Sequence, residues 1–381
     1  MSTPPQRRCR RAPRQLAPGA LRPSDMLGSF FVPGLAFLLA AAGVAIYGAL
    51  GTWPQAHWLA LHLAFVGGVS QLVLGAGQFF AGAFLATDPP GRATIRAQLV
   101  LWNLGAALIA AGVPTGSNAL TGAGATLLGG GLALFLLALR GLRRRSLQHA
   151  PWAVRWYQAC AVFLGVGALI GVAMAARATW THGSLLGAHM TLNLAGWFGT
   201  AIVGTLHTFF PSLTQTRLRH PRLQRPTFAA WTSGTAMLAA GYAFAAGPLV
   251  VAGWALLSTA AAMLSLNMAQ SLRTSTAVPS LPARLLAPAQ LCLLAALLIA
   301  LVHAFGADAT APPYGGERAA IAILLVPGWL GMTVAGSLLH LLAVLGRVRD
   351  LRRPLPGPRP ARDRALAGLA ALAVAALAAA R

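Results

Sequence analysis

Residues 189–217 read HMTLNLAGWFGTAIVGTLHTFFPSLTQTR. Most of this stretch consists of apolar residues and glycines, it contains the two histidines His189 and His207, and it has no acidic residue. An apolar run of about 20 residues is long enough to cross a bilayer as a helix. We therefore predict a membrane-spanning helix here that carries imidazole side chains into the membrane.

The composition extends this prediction to the whole chain. Of 381 residues, 57% are hydrophobic and only 9% are charged. Soluble globular domains carry about a quarter of their residues as charges, so the composition excludes one, and it equally excludes a disordered chain. Only helices and closed barrels satisfy their own backbone in lipid, and apolar runs of this length favour helices. We predict an all-α, polytopic membrane protein.

Apolar runs bounded by Arg, Pro or Gly define eleven helices, with twelve as the alternative count. The eleven runs are 26–50, 57–84, 96–113, 117–140, 155–176, 184–210, 227–246, 248–272, 283–305, 318–346 and 362–380.

The charges give an independent test of this count. All 29 basic residues are arginines, and 26 of them fall in the N-terminal tail or in the loops after every second helix. The exceptions are Arg177, Arg318 and Arg381. Because basic loops stay in the cytoplasm, we expect a cytoplasmic N-terminus, an outside C-terminus and a place in the cytoplasmic (inner) membrane. The arginines then reflect contact with the lipid bilayer and not with nucleic acid. Residues 1–25 form a basic tail, and 26–381 form one membrane domain.

An internal repeat divides this membrane domain. Gly196-Trp197, Gly199 and Gly204 recur with the same internal spacing as Gly328-Trp329, Gly331 and Gly336. A weaker copy, with Gly67, Ser70 and Gly75, precedes the first set by nearly the same length of chain. The repeat length of about 130 residues predicts three pseudo-repeats of four helices, over about 26–150, 151–280 and 281–381, the last one truncated.

Ionisable residues inside a membrane are costly and therefore mark functional sites. His62 and His189 lie within about two turns of the predicted outer surface, and His303 ends a helix at the same level. These three histidines form a predicted outer cofactor site, with His57 at its rim. With almost no acidic residues in the helices, we expect metal or haem iron as their partner, because neutral imidazole is a good ligand without a counter-charge.

His207 and His340 lie near the predicted inner ends of their helices and form a second candidate metal site. His189 and His207 are separated by five helical turns, so they share one helix face about 27 Å apart. For each histidine the alternative is a hydrogen bond to a neighbouring backbone. Asn193, Gln71 and Gln78 are weaker candidates for supporting hydrogen bonds, and hydrogen bonding between helices explains them as well.

The three four-helix units, with histidines on the second and sixth helices, resemble the haem–copper oxidase and nitric oxide reductase superfamily. Residues 62–80 (HLAFVGGVSQLVLGAGQFF), 154–171 and 189–217 look like haem–copper-oxidase-like membrane proteins, whose relatives are sometimes fused to copper nitrite reductase or multicopper oxidase domains, and more distantly like the NnrS family. The likeness covers roughly residues 50–220, and the remainder only by topology. It implies a haem cofactor, copper as a second metal, and a cupredoxin or cytochrome as electron donor.

The resemblance assigns His62 to the family's haem ligand on the second helix and His189 to its metal ligand on the sixth. The chain departs from the family elsewhere. Its seventh helix contains no histidine, and neither does the outer part of its tenth, since His340 lies about 20 Å deeper. We therefore expect no standard terminal oxidase centre, and the sequence names no catalytic residue.

Three hypotheses for function follow. The first is a haem-binding, and in one variant also copper-binding, redox membrane protein acting in nitrogen-oxide or oxygen metabolism or in electron transfer. The second is a transporter or metal-handling protein in which the two levels of histidine are stations on a path. The third is an assembly subunit without a ligand, in which the histidines only form hydrogen bonds.

Overall fold

The computed structural model describes residues 21–51, 53–148, 152–306, 308–349 and 357–379. Most of the predicted basic tail, residues 1–20, lies outside these ranges. Over the described residues the chain is helical and contains no strand. Its long helices are α1 Pro23–Leu50, α2 Ala56–Phe84, α3 Arg92–Gly112, α4 Asn118–Arg145, α5 Trp152–Ala175, α6 185–213, α7 Gln224–Ala243, α8 Gly247–Thr274, α9 Leu281–Ala304, α10 315–349 and α11 Pro360–Ala379.

Each of these helices overlaps one of the apolar runs. Eight of the helices in the described residues are long and apolar enough to cross a membrane. The chain is accordingly a multi-pass membrane protein. The three helices outside that group are α6, α7 and α11. In α6 the reason is polar content within the span, since it carries His189, Asn193 and His207.

Three helices contain a π-helical segment, in which the backbone hydrogen bonds reach one residue further than in an α-helix. The segments are Leu63–Val69 in α2, Leu192–Gly199 in α6 and Leu324–Gly331 in α10. The distances along the chain from one π-helical segment to the next equal the distances from one copy of the glycine pattern to the next. Such segments are rare and are frequent at functional sites. Nothing in the amino-acid pattern had indicated them.

The packing is similar around each of these three helices. α1 packs on α2, α5 on α6 and α9 on α10. The helix that follows packs back on its predecessor, as α3 does on α2, α7 on α6 and α11 on α10. Further contacts join α2 to α5, α6 to α9 and α10 to α1, so that the bundle closes into a ring. The core of this ring holds large, fully buried side chains, among them Trp102, Trp156, Trp197 and Trp231.

Candidate functional site

His62 is the residue immediately before the π-helical segment of α2. Its Nδ1 lies 2.8 Å from the carbonyl oxygen of Trp58, one turn earlier. Its ring stacks on the Trp58 indole, with centroids 3.8 Å apart and planes at 20°. These two contacts fix the imidazole orientation. Both contacts could have been predicted from the sequence, because residues four apart, such as Trp58 and His62, lie on one face of a helix.

His189 lies three residues before the π-helical segment of α6 and faces α5. Its Nδ1 lies 2.8 Å from the carbonyl oxygen of Gly167. The ring fills space that a glycine leaves, since a Cβ added at Gly171 would lie 2.8 Å from its Cε1. Asn193 donates its amide to the His189 carbonyl at 2.7 Å. The structure therefore confirms the expected nearness of Asn193 and adds a glycine-lined notch that the sequence analysis had missed.

The two histidines share one chemical arrangement. Each presents Nδ1 to a carbonyl oxygen, which can only accept a hydrogen bond, so Nδ1 carries the proton and Nε2 keeps its lone pair. No hydrogen bond to either Nε2 occurs among the described residues. Carbonyl oxygens orient metal-bound histidines in this same manner.

His303, the third residue of the predicted outer site, has other partners. Its Nδ1 lies 2.8 Å from Oε2 of Glu317 in the first turn of α10. Its Nε2 lies 3.2 Å from the carbonyl oxygen of Ala311. Both ring nitrogens therefore lie within hydrogen-bonding distance of an acceptor oxygen. The expectation that the helices offer the histidines no carboxylate is wrong at this position, because Glu317 supplies one across the helix ends.

The loop between α9 and α10 contains a second ordered carboxylate. Oδ1 of Asp308 accepts hydrogen bonds from Oγ1 of Thr310 at 2.7 Å and from its backbone N–H at 2.9 Å. The hydrogen bond from the Thr310 hydroxyl is the main reason that the pKa of the Asp308 carboxyl lies below its usual value. Together with the His303 contacts, this turn fixes the connection between α9 and α10.

The predicted inner pair is placed in two different environments. His207 is 1% exposed, its Nδ1 lies 2.8 Å from the Val203 carbonyl oxygen, and its ring stacks near Trp156. Its Nε2 is buried and finds no hydrogen-bond partner among the described residues. His340 is half-buried, with its ring 5.4 Å from that of Phe209. Both stay candidate metal ligands, and only His207 has a backbone-oriented ring.

A protein site that holds a metal ion usually contains at least three Asp, Glu, His or Cys side chains close together. Over the parts of the chain that the structure describes, no such group occurs. A haem iron differs, because it takes one or two axial histidines and the porphyrin supplies the other ligands. At His62 and His189, a neutral imidazole with no hydrogen bond to Nε2 among the described residues is the kind of donor that an axial haem ligand requires.

A cavity of about 80 Å³ lies between α1, α2, α5, α6 and α10. Its lining is mostly apolar, with hydroxyl groups from Tyr157, Thr205, Thr333 and Ser337. Tyr157 and Thr205 hydrogen-bond to each other at 2.6 Å. Of the residues that the structure describes, no histidine lines this cavity. Its volume is well below the roughly 300–1,000 Å³ of pockets that hold drug-sized ligands, so it does not fit a haem.

The two glutamines named from the sequence belong to a different region. Gln71 donates to the Gly67 carbonyl and to Asn103 of α3, while Gln78 donates to the Leu74 carbonyl and to Gln98. These amides join α2 to α3 and not to the histidines. Their role as interhelical hydrogen bonds is the alternative that the sequence analysis had left open.

The sequence was also compared with known proteins. No protein-family model matches it, and no curated protein is significantly similar to it.

Proposed function

We propose that this chain is a haem-binding redox membrane protein with the three-unit architecture of the haem–copper oxidase superfamily. His62 and His189 are its ligand residues. Copper is the second metal of the proposal, and a cupredoxin or cytochrome is its electron donor. The observation that carries the proposal is the pair of membrane-embedded histidines whose Nδ1 atoms are held by carbonyl oxygens and whose Nε2 atoms have no hydrogen-bond partner among the described residues.

The three-unit architecture is supported by contacts that recur one repeat length apart. Trp102 of α3 donates its indole N–H to the carbonyl oxygen of Val66, inside the π-helical segment of α2. Trp231 of α7 donates in the same manner to Ala195, inside the segment of α6. The two donors are separated along the chain by the same number of residues as the two acceptors. This number is also the separation between the first two copies of the glycine pattern. Chance placement of glycines in membrane helices would not reproduce a specific hydrogen bond.

The glycine pattern recurs as contacts too. A Cβ added at Gly67 would clash with the ring of Phe37 on α1, and one at Gly196 would lie 2.6 Å from Phe163 on α5. The third copy, at Gly328, would lie 3.1 Å from Cys292 on α9. In each unit a glycine of the π-helical segment thus lets the preceding helix approach closely. These three contacts favour three related units. The distribution of arginines supports eleven spans and a cytoplasmic N-terminus as the finer topology of the proposal.

Haem iron would supply reversible one-electron transfer at this site. The chain's own contribution is to fix two imidazoles. Trp58 and its carbonyl hold the ring of His62, while Gly167 and Gly171 orient and make room for that of His189. Because the central cavity is too small and its described lining includes no histidine, the proposal concerns these two side chains alone. His303 is the weakest of the three predicted ligands, since Glu317 and Ala311 engage both of its nitrogens.

The test is a reduced-minus-oxidised absorption spectrum of the detergent-purified protein, with iron and copper analysis on the same sample. We expect a Soret band with stoichiometric iron, reduced by at least tenfold in His62→Ala or His189→Ala. The matched control is His220→Ala, which changes an exposed histidine outside the membrane helices and should leave the spectrum intact.

A colourless, metal-free preparation from haem-replete cells would refute the haem proposal. Flux of a metal ion through reconstituted vesicles would then favour the transporter hypothesis. Absence of both would favour the ligand-free assembly subunit.

A further inference from the structure

The central cavity between α1, α2, α5, α6 and α10 is lined by equivalent positions of the three units. Each of the six lining residues on α2 has a counterpart among the lining residues of α10. The separation of each such pair along the chain equals that between the first and third copies of the glycine pattern. The four lining residues on α6 match four of those on α2, with the separation of the first and second copies. The same face of α2, α6 and α10 therefore surrounds the cavity.

Apolar side chains line the two ends of the central cavity. Val69 and Leu330 occupy equivalent positions at one end, and Phe80 and Leu341 do so at the other. The two ends are separated by about three turns of helix, or roughly 16 Å. The hydroxyl groups of the lining lie between these two levels.

These hydroxyl groups come from the second and third units. Thr205 of α6 and Ser337 of α10 occupy equivalent positions, and Thr333 lies one turn before Ser337. Tyr157 of α5 shares a hydrogen bond of 2.6 Å with Thr205. The corresponding position of α2 is Ala76, whose side chain has no polar group. The polar part of the cavity therefore lies between the second unit and the third.

Thr333 has a buried hydroxyl group without a partner. The residue is 4% exposed, and its Oγ1 finds no hydrogen-bond partner among the described residues. Thr205, by contrast, donates to the carbonyl oxygen of Ala201 at 2.7 Å. An unpartnered hydroxyl in the interior lowers stability, because the group loses its hydrogen bonds to solvent and gains none in return. The Thr333 hydroxyl therefore favours a guest that can form hydrogen bonds.

We propose that the central cavity binds a cluster of water molecules that joins the second unit to the third. Thr333 and Ser337 hold the cluster on α10, and the Tyr157–Thr205 pair holds it on α5 and α6. At about 30 Å³ per molecule, the cavity volume of about 80 Å³ admits roughly two or three waters. A buried water typically makes about three hydrogen bonds, which the four hydroxyl groups and the neighbouring waters supply. The cluster is independent of the haem, since neither proposed haem ligand lines the cavity.

The lining disfavours other guests. No charged side chain of the described residues lines the cavity to balance an ion, and burying an unpaired charge is costly. A lipid chain, or a dry cavity, would leave the Thr333 hydroxyl without a partner. Cavities that stay dry are lined by apolar groups, whereas this one presents four hydroxyl groups.

Water and a dry cavity predict opposite effects for Thr333→Val, which replaces the hydroxyl by a methyl group of similar size. If water is bound, the substitution removes one of its partners, and we expect the midpoint of thermal unfolding in detergent to fall by about 1–3 °C. In a dry cavity the same substitution would remove an unpartnered hydroxyl and raise the midpoint. An unchanged or raised midpoint would therefore overturn the inference.

The matched control is Ser271→Ala on α8. The Ser271 hydroxyl is also buried and has no partner among the described residues, but it does not line the central cavity. Its removal should keep or raise the midpoint. Equal falls in the Thr333 and Ser271 variants would contradict a specific role for water in the cavity.

The density of the unmodified chain gives a direct test that depends on no variant. A crystal structure at a resolution that shows ordered water should contain separate peaks in the central cavity, one of them about 2.8 Å from Oγ1 of Thr333. Crystals of Thr333→Val should lose that peak. An empty cavity or one continuous, elongated density would overturn the inference. A colourless preparation that shows the peaks would refute the haem proposal and leave the water cluster intact.

Discussion

The position of single hydrogens at His62 and His189 decides what these residues can do. A neutral imidazole has one N–H, and both rings direct Nδ1 at a carbonyl oxygen. The sequence identified both residues because histidine is rare and costly in a membrane. It could not identify the orientation of His189, since Gly167 lies on another helix. Nor could it foresee the contact of His303 with Glu317, which depends on how two helix ends meet.

The notch that holds His189 predicts the effect of adding one methyl group at Gly171. Gly171→Ala would place Cβ 2.8 Å from Cε1 of His189, so the ring must move or α5 must withdraw. Overpacking of this kind typically costs about 1–3 kcal/mol. We expect a lower midpoint of thermal unfolding in detergent, followed by tryptophan fluorescence.

The control for this substitution lies on the same helix. A Cβ added at Gly165 would lie 3.7 Å from Cδ2 of Leu132, an ordinary contact, so Gly165→Ala should leave the midpoint unchanged or raise it. Equal losses from the two substitutions would show that the notch does not constrain His189.

Whole helices were more predictable than their interiors. The limits of α1 to α11 follow from apolar runs that end at Arg, Pro or Gly, and each run predicted from the sequence overlaps a helix. The π-helical segments were not predictable in this way. Leu192–Gly199 has the composition of an ordinary membrane helix, and its contacts with α5 and α7 join residues far apart in the sequence.

The contact between α3 and α4 gives a prediction for a helix pair. Gly105→Ala would place Cβ 2.8 Å from the Leu128 side chain and 2.9 Å from the backbone of α4, which cannot move aside like a flexible side chain. Alanine normally favours a helix over glycine by about 1 kcal/mol. Here the clash should reverse that sign and lower the thermal midpoint.

Gly129 of α4 is the comparison for this helix pair, because a Cβ there would meet no atom of the described residues within 4 Å. Gly129→Ala should keep or raise the midpoint. If Gly105→Ala stabilised the protein as much, the close approach of α3 and α4 would be contradicted.

For the molecule as a whole, the important contacts join one unit to the next. Nε1 of Trp197, on α6, donates to Oγ of Ser70, on α2, at 2.9 Å. The same position one repeat later, Trp329, has a buried Nε1 with no hydrogen-bond partner among the described residues. The residue that corresponds to Ser70 there is Gly199, which has no side-chain oxygen. Repeat spacing alone could relate these tryptophans, but not show that their hydrogen bonding differs.

This difference gives a prediction for the interface between units. Trp197→Phe removes the hydrogen bond and leaves the Ser70 hydroxyl buried, so it should cost about 1 kcal/mol more than Trp329→Phe. The two substitutions remove the same indole from sites that are both nearly fully buried. Thermal unfolding of the two variants and of Trp197→Phe with Ser70→Ala would measure the difference, and equal losses in the two single variants would contradict it.

The contact of α1 with α10 has a consequence for the time course of synthesis. α1 is complete at residue 50, and α10 begins only at residue 315. At about 5–20 residues per second, α1 waits on the order of ten seconds to a minute for this neighbour. During that interval α2 and α3 already cover other sides of α1, and the side destined for α10 stays open. The order in which the ribosome delivers the helices therefore makes closure of the ring one of the last events of biogenesis.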